Sequence, residues 1–115
     1  MERQYSYTVI ITFDLSYASR SDYRLINRFL EDKGFYALSS SGNNMPANTY
    51  TGEVEVDVNL PSGNLTLESM AAGAEKARTS VYASIYNAMK NSGIPITLFV
   101  QASFSKTTSS RCTRN

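Results

Sequence analysis

The side chains able to do chemistry in this chain are few, and their types narrow what that chemistry is. Among 115 residues there is no histidine and one cysteine, Cys112. Imidazole bases, His-ligated zinc, Ser-His triads and four-thiolate metal sites are therefore excluded. Any catalysis must run on carboxylates, a bound cation, or Tyr, Lys and Arg. Asp14 closes the apolar run VIITFD, while Glu53, Glu55 and Asp57 alternate through EVEVD. Carboxylates at i and i+2 of a strand stand about 7 Å apart, too wide to share one cation unaided. That triple reads as a solvated stripe. For Asp14 two readings stand side by side: a chemical role, or a hydrogen bond to the loop backbone that follows it. Arg24 and Arg28 are four residues apart, so on a helix their roots lie about 6 Å from each other, close to phosphate spacing. Glu31 and Asp32 stand within reach, and an ordinary charged helix surface accounts for the same pattern.

These groups are positioned by elements that the pattern of apolar residues predicts. Tyr5, Tyr7, Val9, Ile11 and Phe13 alternate with Ser6, Thr8, Ile10, Thr12 and Asp14, a period-two strand with one buried face. Ser19 followed by Asp22 resembles a capping box, and Tyr23, Ile26, Phe29 and Leu30 recur at helical spacing until Lys33-Gly34-Phe35 closes the helix. A weaker edge strand is expected in FYALSSS, and a loop in GNNMPAN. TYTGEVEVDVNL is a clean strand, with Tyr50, Gly52, Val54, Val56 and Val58 on one face and Thr51, Glu53, Glu55, Asp57 and Asn59 on the other. A second helix is expected from Thr66 to Asn91, with Met70, Ala74, Ala77, Val81, Ile85 and Ala88 or Met89 inward. Gly73 costs a helix interior about 1 kcal/mol relative to Ala, which predicts an interruption there. PITLFVQASF is the last strand, burying Ile96, Leu98, Val100, Ala102 and Phe104.

The order is βαββαβ. Right-handed crossovers turn that order into a split βαβ, ferredoxin-like α+β sandwich: a four-stranded antiparallel sheet with two helices on one face. Residues 1–105 are expected to form this single domain, with 106–115 a mobile basic tail. The second sheet face starts out bare. An RNA-recognition module would need stacking aromatics there, but Glu53, Glu55 and Asp57 occupy the positions on the third strand, which disfavours that module. Ile10 and Phe99 fall on the same face, so the expected partner is a second copy docked through it; the alternative is a solvated acidic face that carries two stray apolar residues.

The first half of the chain also resembles a family. YTVIITFDL, a helix ending in DKGF and the loop MPANTYTGE are similar to the GhoS-like small antitoxin endoribonucleases, and more broadly to the ferredoxin-like CRISPR-adaptation nucleases. The matching positions are Phe13-Asp14 and Pro46, Asn48 and Thr49. The resemblance implies an RNA-cleaving or RNA-binding protein in which Asp14 holds a divalent cation such as Mg, with two such carboxylates meeting across a dimer axis. It also implies first-helix arginines in the site; Arg24 and Arg28 are the helix arginines here, although neither falls on the family's arginine positions in ungapped register. The alternative is a non-catalytic interaction module, toxin-neutralising or defence-related, on the same scaffold.

Composition sets the remaining bounds. Net charge is +1, with 42% hydrophobic and 18% charged residues, which excludes a binder working by bulk positive charge and disfavours wholesale disorder. The opening MERQYSY has no apolar signal core, and no run approaches the roughly 18 apolar residues of a membrane span. A cytoplasmic location is the expectation.

Overall fold

The computed structural model describes residues 1–15, 19–38 and 48–109. Four strands and two helices follow in the order β1 (Glu2–Leu15), α1 (Arg20–Asp32), β2 (Tyr36–Ala37), β3 (Thr49–Asn59), α2 (Leu67–Asn91) and β4 (Ile96–Phe104). The strands form one antiparallel sheet in the order β2-β3-β1-β4. This is an α+β architecture, consistent with the ferredoxin-like expectation.

Alternation on β1 decides which face is covered. Val9, Ile11 and Phe13 join Ile26 and Leu30 of α1 and Val81, Ile85 and Met89 of α2 in one core cluster, so both helices lie on the same side of the sheet. Tyr7, Val56, Val58, Leu60, Ala77 and Phe104 form a second cluster farther along. Among the described residues, nothing of comparable apolar content covers the other face.

α1 starts where the capping pattern places it. Ser19 Oγ accepts from the Asp22 N–H at 3.3 Å, and the Asp22 carboxylate accepts from the Ser19 N–H at 3.1 Å, so two N–H groups at the helix start are satisfied reciprocally. Gly34, at φ 90, turns the chain out of α1 and lets Phe35 drop into the core.

Two expectations change in detail. α2 runs unbroken through Gly73, because this glycine is a contact: a methyl there would overlap the Tyr7 hydroxyl. Tyr7 donates to the Met70 carbonyl at 2.9 Å, so the side-chain space a larger residue would fill belongs to β1. On β4 only Val100 and Phe104 are buried; Ile96, Leu98 and Ala102 are half-covered because β4 is an edge strand. Past Phe104 the chain forms a 3-10 turn, Ser105–Thr107. Pro46, Tyr17 and the tail residues Arg111, Cys112 and Arg114 lie outside the described residues.

Candidate functional site

The open sheet face divides into two ends of different chemistry, and the register says which residues belong to each. At one end, Gln4, Ser6 and Thr8 of β1 oppose Asp57, Glu55 and Glu53 of β3. All three carboxylates are exposed. At the other end, Thr12 lies between Thr49 and Phe99, and Asp14 opposes Thr97. Thr12 and Ser6 are six residues apart on one strand, about 20 Å. The Asp14 end is therefore well separated from the acidic stripe.

Asp14 is exposed at the sheet's rim. Phe99 stands diagonally across from it and is 57% exposed, unusual for a phenylalanine on a strand. The strand end that carries Asp14 is held from β3. The Phe13 N–H donates to the Asn48 carbonyl at 3.3 Å, and Asn48 Nδ2 donates back to the Phe13 carbonyl at 2.6 Å. The buried Thr51 hydroxyl donates to the Val9 carbonyl at 3.0 Å on the same pair of strands. Sequence reasoning singled out Asn48 as a motif position, but its grip on Phe13 is visible only once β1 and β3 are paired.

Arg24 and Arg28 sit elsewhere. They line a shallow surface groove with Ser21, Leu25, Asn27 and Glu31 on the outer side of α1. α1 covers the helix side of the sheet, while Asp14 points to the bare side, so the structure places these three sequence-predicted residues on different layers. Asn27 of the same groove accepts from the Tyr50 hydroxyl at 2.6 Å, tying α1 to β3. Burial raises the Tyr50 phenol above its ordinary range, and Glu31 adds to the shift.

Among the described residues no three Asp, Glu, His or Cys side chains cluster closely enough to hold a metal. A cation at Asp14 would rest on one carboxylate, with the exposed Thr97 opposite it on β4, and on oxygens supplied by a substrate. Such a donor set is compatible with Mg, which is commonly held by one or two carboxylates plus substrate phosphates. Among the described residues no helix is long and apolar enough to cross a membrane.

No family model, curated protein or solved structure matches this chain. The geometry of the open face is thus the ground on which its function is argued.

Proposed function

We propose that this chain is a small ferredoxin-like protein that binds and cleaves single-stranded RNA at the Asp14 end of its open sheet face. The observation that carries the reading is the pairing of an exposed carboxylate with an exposed aromatic ring: Asp14 beside Phe99, on a rim that also carries Thr12 and Thr97. A ring of this kind stacks a nucleobase whatever its identity. The hydroxyls suit sugar and phosphate oxygens, and the phosphate-repelling carboxylates lie at the far end. A divalent cation held by Asp14 would supply activation of water or charge stabilisation of the leaving oxygen.

Mixed RNA incubated with the purified chain tests this directly. Cleavage is expected with magnesium, and it should disappear with EDTA and in Asp14→Asn. Phe99→Ala should weaken RNA binding by about 1–3 kcal/mol, the range for losing one stacked base. Cleavage undiminished in Asp14→Asn would refute the assignment. A chain that neither binds nor cleaves RNA fits the second reading, a non-catalytic interaction module, which the exposed stripe Glu53-Glu55-Asp57 favours because it resists a polyanion across half of the face.

A further inference from the structure

Among the described residues the sheet ends in two unlike edges, one guarded by charge and one not. On β1 the Phe13 N–H and the Val9 carbonyl both point at β3. Odd-numbered β1 residues thus direct their backbone groups to β3, and even-numbered ones to β4. Because the register is unbroken, Thr97, Phe99, Gln101 and Ser103 bond back to β1. Ile96, Leu98, Val100 and Ala102 therefore aim their N–H and C=O groups outward. The carbonyl of Phe104, next in that row, is met by the hydroxyls of Thr107 and Thr108.

The opposite edge is defended. Beyond β2, the free side of β3 carries Glu53, Glu55 and Asp57, and Lys76 Nζ donates to the outward Asp57 carbonyl at 3.1 Å. Charges of this sort keep foreign strands away. β4 has none of these devices: ITLFVQASF contains no charge, no proline and no bulge. Aromatic side chains flank it on both layers instead. Phe99 stands on the open face, and Tyr82 of α2, 43% exposed and stacked on Tyr86 at 5.9 Å, lines a groove against Leu98, Phe99 and Val100.

We infer that β4 pairs antiparallel with β4 of a second copy of this chain, about a twofold axis at Val100, to form one continuous eight-stranded sheet. The occupant is argued from self-complementarity. Folding this strand against itself about Val100 sets Leu98 opposite Ala102 and Val100 opposite Val100, so outward donors meet outward acceptors throughout that stretch. Phe99 then faces Gln101 of the second copy, with no like charges opposed. On the helix side, Tyr82 of each copy lies near the axis, and Arg78 brings its partner Glu75 with it at 3.9 Å, so charges of both signs meet there. The pairing goes beyond the RNA reading and does not depend on Asp14. It would place the two Phe99 rings as diagonal neighbours at the centre of the enlarged open face.

Sedimentation of the full chain across a concentration series tests the inference. A reversible monomer–dimer equilibrium is expected. Ala102→Pro removes an outward N–H while leaving the bonds to β1 intact, and should weaken the dimer about tenfold or more. Gln101→Glu and Phe99→Lys, both at exposed positions, should each weaken it through like charges set diagonally across the axis. Combining Phe99→Lys with Gln101→Glu in one chain should restore the dimer, because each cation then faces a carboxylate of the other copy. Should Ala102→Pro fail to fold, the charge pair alone decides. A chain that stays monomeric at every concentration would overturn the inference, as would a dimer broken by Ile10→Lys yet indifferent to Gln101→Glu. Asp14→Asn should leave the equilibrium unchanged, which separates failure of this pairing from failure of the RNA reading.

Discussion

Two tyrosine hydroxyls tie the helices to the sheet. Tyr7 reaches from β1 to the Met70 carbonyl of α2, and Tyr50 reaches from β3 to Asn27 of α1 at 2.6 Å. Both phenols are held above their ordinary value, chiefly by burial, with Tyr5 adding to the shift of Tyr7 and Glu31 to that of Tyr50. An unfolded tyrosine ionises near pH 10. Above that pH the unfolded chain releases these protons before the native one does, so the unfolded state binds fewer protons and stability falls as pH rises. Below about pH 10 the contribution of both groups is fully present. Urea unfolding at pH 7, 9 and 11 should therefore show little change between the first two and a drop at the third. Tyr50→Phe should cost about 1 kcal/mol at neutral pH through the lost hydrogen bond, and its penalty should shrink at pH 11. An alkaline drop as steep in the Tyr7→Phe, Tyr50→Phe double variant as in the parent would assign the effect to other tyrosines.

At the scale of elements, α2 shows what a sequence does and does not disclose. Its stripe of Ala77, Val81, Ile85 and Met89 follows from spacing alone, as does the alternation of β1 and β3. The continuity of α2 does not. A glycine in a helix reads locally as a weakness, whereas Gly73 is required by a ring on a strand far away in the chain. The half-burial of β4 was hidden for a related reason: alternation marks a face, but only strand order says that β4 lies at an edge. The candidate site divides likewise. Asp14 stood out in sequence because a carboxylate ends an apolar run; its neighbour Phe99 comes from the other end of the chain through the register. The Gly73 contact can be tested. Helix propensity alone would make Gly73→Ala stabilising by about 1 kcal/mol. Overlap with the Tyr7 ring should outweigh that gain and give a net loss of about 1–3 kcal/mol, the range for overpacking a close contact. In a Tyr7→Leu background, where the ring is gone, the same change should become neutral or stabilising. Equal effects in both backgrounds would show that the helix, and not the ring, resists the methyl.

For the whole molecule, the sheet is asymmetric in its exposure to solvent and to other chains. β1 is paired on both sides from Tyr7 to Thr12, β3 is guarded where it is free, and among the described residues β4 carries a bare row of backbone groups. Amide hydrogen exchange reads this asymmetry residue by residue, because protection requires a bonded N–H in a segment that rarely opens. In dilute solution the amides of β4 should alternate. Those of Phe99, Gln101 and Ser103, bonded to β1, should exchange slowly, and those of Leu98, Val100 and Ala102 quickly. The amides of β1 from Tyr7 to Phe13 should be slow throughout, since every second one meets β3 and the others meet β4. Raising the protein concentration should slow Leu98, Val100 and Ala102 selectively if β4 meets its own copy, and in Ala102→Pro that concentration dependence should vanish. Dimerisation through the bare face would leave the alternation intact at all concentrations, because face-to-face contact bonds none of these outward amides. The same spectra would thus separate edge from face, and would do so without reference to whether RNA is cut.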